Sequence, residues 1–124
     1  MNRTHKAKIL GVLRSQKLAV ISTVHSSKPA TESALIAFTE DDDLCIYFQT
    51  GKHTRKAANL ANHPNVSLVI GLSLDDLVTV QYEGKAERLL NADDLEACRH
   101  MFIAKDSPTT EIYTSLFVGS VRCV

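Results

Sequence analysis

A chain of 124 residues with 14 basic and 14 acidic side chains carries no formal net charge at neutral pH. General binding to nucleic acid or to an anionic membrane therefore has no electrostatic basis, and the length fits a single domain, residues 1–124, with a real core. No apolar run reaches membrane-spanning length and the N-terminus lacks the apolar segment of a signal peptide, so we expect a cytoplasmic protein.

The first half of the chain is predicted to contain one helix followed by three strands. Ile9, Val12 and Leu13 recur at helical spacing among basic residues, which predicts an amphipathic helix from Thr4 to Gln16. β-branched enrichment and an apolar, aromatic composition indicate strands after it. These strands are Leu18–Val24, Ala30–Phe38 and Leu44–Gln49.

Four consecutive carboxylates, Glu40 to Asp43, separate the second and third predicted strands. Carboxylates can bind calcium or magnesium, but this run has no second set of spaced oxygen ligands. A solvated hairpin tip is therefore the preferred interpretation.

The second half of the chain continues the β pattern. Leu77 to Arg88 alternates strictly between apolar and polar residues, which is typical of a half-buried strand. Asn91 can cap a helix that runs to about Ile103. Two more strands are predicted at Val66–Leu72 and Glu111–Val121, and so many strands in close succession favour a closed antiparallel barrel over a parallel sheet.

Basic residues cluster where the third strand gives way to a short helix. Thr54, Arg55 and Lys56 fall at the helix start, with Lys52 and His53 just before them, and the helix must end near His63 because Pro64 follows. No Asp or Glu occurs from Leu44 through Leu74, so no local carboxylate is expected to neutralise the cluster. A helix N-terminus favours an anion, so the cluster predicts a phosphate site. The alternative is an ordinary solvated basic turn.

The same segment resembles a known family. The pattern Phe48-x-Thr50-x-x-x-Thr54-Arg55-Lys56, followed by Leu60 and Asn62-x-Pro64-x-Val66-Ser67-Leu68, is similar to the flavin-phosphate segment of the pyridoxamine 5′-phosphate oxidase-like FMN-binding split barrels. This resemblance implies a mainly β fold, a six-stranded antiparallel split β-barrel with short helices. It also implies a homodimer that binds FMN at the subunit interface and acts on a small-molecule substrate.

Carried over by position, the resemblance implies a set of cofactor-binding residues. Arg55 and Lys56 would hold the FMN phosphate with help from Thr54 and Thr50, and a stretch of the second strand would line the flavin ring. Thr79 falls where a contact from the partner subunit is usual. The full implied set is Ser33, Ala34, Leu35, Gln49, Thr50, Thr54, Arg55, Lys56 and Thr79.

The chain departs from true pyridoxamine phosphate oxidases at the second strand and the C-terminus. Glu32 and Ala37 stand where those enzymes carry Arg and Lys, and the chain has no Arg-x-His segment near Val124. The expected function is thus an FMN-dependent oxidoreductase of a related type, with catalytic residues unknown. Alternatives are a split barrel that binds a deazaflavin or haem, and a dimer that binds or senses flavin without catalysis.

Metal binding is not predicted. His53 and His63 do not match common zinc spacings. Cys45, Cys98 and Cys123 are far apart and odd in number, which indicates reduced thiols, most simply buried as small apolar side chains.

Overall fold

The computed structural model describes residues 3–51, 53–71 and 78–105, together with the backbone of residues 116–123. These residues contain three helices and six strands. Their bounds are α1 (Arg3–Ser15), β1 (Leu18–Val24), β2 (Thr31–Glu40), β3 (Ile46–Gly51), α2 (Arg55–Asn62), β4 (Asn65–Ile70), β5 (Val80–Arg88), α3 (Ala92–Ala104) and β6 (Leu116–Cys123).

The strands form one closed barrel in the order β1, β2, β3, β6, β5, β4. All neighbouring pairs are antiparallel, including β1 with β4, which closes the barrel. The predicted mainly β fold built on an antiparallel barrel is therefore confirmed.

Alternation along the strands builds the core. In β3, Ile46, Phe48 and Thr50 are buried while the residues between them are partly exposed. In β5, the predicted alternation places Tyr82 and Ala86 inside the barrel. Successive strand side chains point to opposite faces, so this pattern separates an apolar interior from a polar outer wall.

Two helices cover parts of the barrel. Leu13 of α1 is fully buried in the barrel core, as its helical spacing predicts. Cys98 and Phe102 of α3 form a second buried cluster, which also includes Ala37 and Tyr47 on the outside of the barrel wall. Asn91 caps α3 by accepting from the backbone N–H groups of Asp93 and Asp94, which confirms the predicted cap.

β5 begins at Val80, later than predicted. The boundaries of β2 and β3 differ from the prediction because of the turn between them. β2 continues to Glu40, and β3 begins only at Ile46. The Asp41 carboxylate accepts hydrogen bonds from the backbone N–H groups of Asp43 and Cys45, each at 2.9 Å. Leu44 adopts a left-handed φ of 66°, which ends the turn two residues later than the composition indicates. The last predicted strand, Glu111–Val121, lies partly outside the described residues.

The acidic turn serves to attach helices to the barrel. Its carboxylates are engaged by the turn itself, by α1 and by the residue after α3. Among the described residues, no group of three or more His, Cys, Asp or Glu side chains could hold a metal ion. The four carboxylates of the turn contact the following partners: Glu40 pairs with Lys105, Asp41 with the Tyr47 hydroxyl, Asp42 with Arg14 and Asp43 with Lys6.

The described helices are all too short or too polar to cross a membrane. Cys45 and Cys98 are both buried, as predicted, while the side chain of Cys123 lies outside the described part of the chain.

Candidate functional site

The basic cluster lies at the start of α2, as the sequence predicts. Thr54 is the N-cap, with an extended backbone, and its hydroxyl accepts from the backbone N–H of Ala57 at 3.3 Å. The helix ends at Asn62, and the N–H of His63 closes the last turn on Asn59. The backbone N–H groups of Arg55 and Lys56 come before the first intrahelical hydrogen bond and are thus oriented to bind an anion.

The Thr54 hydroxyl is fully used by the turn that leads into α2. It donates to the carbonyl of Gly51 at 2.8 Å, so its single proton is committed there. The hydroxyl of Thr50 lies 3.2 Å away and must therefore be the donor in that pair. Thr50 itself is buried. The two threonines thus fix the helix start through their hydroxyl groups.

The start of α2 and the first half of β2 together enclose a cavity of about 360 Å³. Residues from two separated stretches of sequence thus meet at one place. Five predicted site residues line this cavity: Ser33, Ala34, Thr54, Arg55 and Lys56.

A carboxylate also lines this cavity, contrary to the expectation drawn from the acid-free stretch around the cluster. Glu32 of β2 forms an ion pair with Arg55, with 3.1 Å between a carboxylate oxygen and Nη1. A hydrogen bond from Asn59, followed by the charge of Arg55, holds the pKa of Glu32 below its usual value against the opposing effect of burial. The expectation fails because it considers only residues near Arg55 in sequence, whereas the β2 strand brings Glu32 alongside from 23 positions earlier.

Asn59 connects Glu32 to the rest of the fold. Its side chain is only 2% exposed. Its Nδ2 donates to the hydroxyl of Thr23 at 3.0 Å and to the Glu32 carboxylate at 3.1 Å, and its Oδ1 accepts from the backbone N–H of Ser26 at 3.0 Å. The role of Asn59 is not predicted by the sequence patterns. The available signal was an amide among the alanines and leucine of the buried face of a short helix.

His25 completes this group from the turn between β1 and β2. Its Nδ1 accepts from the backbone N–H groups of Ser27 and Lys28 at 3.0 and 3.1 Å, so its Nε2 carries the proton of the neutral ring. Nε2 lies 4.0 Å from the Glu32 carboxylate.

The remaining predicted residues do not line this cavity. Leu35 lies on the same outward face of β2 as Ser33, and Gln49 is partly exposed on β3. Thr79 lies beside Gly71, just beyond the paired ends of β4 and β5, well away from Ser33. A contact between Thr79 and a cofactor held mainly by another subunit stays a prediction.

Of the two basic-cluster residues before Thr54, the structure describes only His53. His53 borders a separate cavity of about 590 Å³ on the other side of α2, together with Arg88. Lys52 lies outside the described residues.

A closed antiparallel barrel with a cationic cavity at a helix start defines the class of split barrels that the sequence resembles. A family model described as pyridoxamine 5′-phosphate oxidase matches residues 5–113, and the chain belongs to this family. Among curated proteins it is similar to General stress protein 26 of Bacillus subtilis (strain 168). The two are 32% identical over 115 residues, which cover 86% of this chain and 79% of that protein.

Solved structures show the same fold. A protein of Listeria innocua, assigned only provisionally as a pyridoxamine 5′-phosphate oxidase, has a TM-score of 0.79 at 22% identity and covers 96% of this chain and 93% of its own. A heme binding protein of Mycobacterium smegmatis has a TM-score of 0.77 at 18% identity, covering 99% of this chain and 52% of its own. An F420 reductase has a TM-score of 0.73 at 15% identity, covering 92% of this chain and 91% of its own.

Proposed function

We propose that the protein is an FMN-binding flavoprotein that acts as an oxidoreductase on a small organic substrate. The observation that carries this proposal is the cavity where the N-terminus of α2, Arg55 and Lys56 meet the first half of β2. The guanidinium fork and the free helix N–H groups suit the oxygens of a phosphate, and Lys56 adds a second positive charge. Bound flavin would supply hydride or electron transfer, and the protein would supply binding and orientation.

The neighbouring barrel wall suits a flat, largely apolar ring. Ser33 and Leu35 point outward from β2, and the cross-strand register places Val20 and then Val69 beside Leu35. Leu35 is 60% exposed, although it is a large apolar residue. A flavin ring lying against the row formed by Leu35, Val20 and Val69 would still reach the Arg55 cavity with its phosphate, because the row and the cavity both include residues of β2.

We further propose that a second copy of the chain covers this row, so that the protein is a homodimer with the cofactor between its subunits. A wall of Leu35, Val20 and Val69 beside a polar cavity is an expected composition for such an interface. Replacing Leu35 by Glu should produce monomers, as measured by light scattering coupled to gel filtration. The same replacement should weaken FMN binding, as measured by flavin absorbance. Leu90→Glu is the matched control, since Leu90 is 77% exposed and lies between β5 and α3.

The related proteins also allow other cofactors in this fold, and the cavity helps to choose among them. Haem requires an axial ligand, and none of the described residues that line the cavity is a histidine. The nearest imidazole in this network, His25, already uses its Nδ1 for two backbone N–H groups. The cavity therefore favours a phosphate-bearing flavin over haem, and a deazaflavin remains the rival.

The test is an absorbance spectrum of the protein after saturation with FMN and removal of free ligand. We expect flavin bands near one FMN per subunit for the unaltered protein and none for the double variant Arg55→Ala with Lys56→Ala. The control, Arg3→Ala with Lys8→Ala, removes the same charge from the exposed face of α1. Equal FMN affinity in both double variants would refute the phosphate assignment. Turnover with NADH or NADPH would separate an enzyme from a flavin-binding sensor.

A further inference from the structure

The most unusual feature of the cavity is the carboxylate placed against its principal cation. Glu32 and Arg55 are 3.1 Å apart and line the same cavity as Lys56. A phosphate bound there would share Arg55 with Glu32 and would lie close to a like charge.

The two members of this pair are held very differently. The Glu32 side chain is 26% exposed and its other oxygen accepts from Asn59, whose amide is fixed by Thr23 and Ser26. The Arg55 side chain is 85% exposed. When a ligand enters, Arg55 is therefore the partner that can move, and Glu32 stays at the edge of the cavity.

We propose that Glu32 is a specificity-determining residue that competes with the ligand phosphate for Arg55 and thereby limits the preference for FMN over a phosphate-free flavin. This inference rests on the proposed function, since it concerns the same cavity. The competition follows from charge and position. The phosphate must replace an existing ion pair, and it meets the repulsion of a carboxylate that Asn59 holds in place.

The experiment compares the affinities of FMN and riboflavin for the unaltered protein and for Glu32→Gln. Glutamine keeps the length of the side chain and an oxygen that can accept from Asn59, but it removes the charge. We expect the variant to bind FMN about fivefold more tightly, the size of one exposed ion pair, with riboflavin affinity unchanged. Asp43→Asn, which removes a carboxylate from the exposed turn before β3, should leave both affinities unchanged.

Weaker FMN binding by Glu32→Gln would overturn the proposal, because it would show that Glu32 orients Arg55 for the phosphate. An equal gain for riboflavin would also overturn it, since the effect would then not act through the phosphate. Inorganic phosphate separates this inference from the proposed function. If the unaltered protein binds no flavin, a larger phosphate-induced rise in Tm for Glu32→Gln than for the unaltered protein still supports competition at Arg55. No difference between them rejects it.

Discussion

Asn59 offers the sharpest test of how the fold holds its candidate site together. Asn59→Ala removes the hydrogen bonds to the Thr23 hydroxyl and to the Ser26 N–H, each 3.0 Å long. A neutral hydrogen bond contributes about 1 kcal/mol to stability, so we expect a loss of about 2 kcal/mol from these two bonds. The bond to the solvent-accessible Glu32 carboxylate is left out of this sum.

The assay is urea denaturation at fixed protein concentration, supported by thermal unfolding. A loss of about 2 kcal/mol corresponds to a fall in Tm of about 8 °C for a domain of this size. Asn62→Ala is the matched control, because it makes the same substitution on the same helix where the amide donates only to the Ala58 carbonyl one turn earlier. Equal, small effects of the two substitutions would refute the role assigned to the buried amide.

The same variant should alter the response of stability to acid. The pKa of Glu32 lies below its usual 4.5 chiefly because of the Asn59 hydrogen bond. A lowered carboxyl pKa contributes stability above the unfolded pKa, and this contribution is lost as the pH falls through the folded value. Asn59→Ala should therefore show a smaller loss of stability below pH 4.5 than the unaltered protein.

Three further outcomes follow from individual contacts. Thr54→Ala should cost about 1 kcal/mol by removing the cap of α2, and Thr54→Ser should retain most of that stability in urea denaturation. Lys105→Met should cost about 3–5 kcal/mol by leaving Glu40 buried without its partner, and adding Glu40→Leu should recover most of the loss. Burial raises the pKa of the Cys98 thiol to about 12, so iodoacetamide should modify Cys98 only after unfolding, and the stability that this thiol contributes should decline as the pH rises above 9.

The sequence predicts the ends of helices and strands wherever these ends depend on a few neighbouring residues. The limits of β1, the start of α2 near Thr54, the cap at Asn91 and the end of α2 before Pro64 all depend on local backbone preferences, and the sequence predicts each of them. The start of β3 differs from the prediction because the side chain of Asp41 accepts from the backbone N–H of Cys45, a residue that composition assigns to the strand.

Contacts between distant segments were not predictable in the same way. Glu32 reaches Arg55, and Asn59 reaches Thr23, only because the β1–β2 hairpin has a particular register and α2 packs against it. The stretch around Arg55 supplies no carboxylate, as its sequence indicates, but Glu32 from outside that stretch pairs with Arg55. A one-residue change in register would turn Glu32 toward the other face of the sheet.

The Glu32–Arg55 pair sets stability and ligand binding against each other at this site. With no ligand in the cavity, the pair adds an attractive contact between β2 and the start of α2. A phosphate must weaken that contact to engage Arg55, so part of its binding free energy is offset by what it displaces. Removing Arg55 eliminates both interactions, whereas removing the charge of Glu32 eliminates only the one that competes. Arg55→Ala should therefore weaken both the empty fold and FMN binding, while Glu32→Gln should weaken the empty fold and strengthen FMN binding.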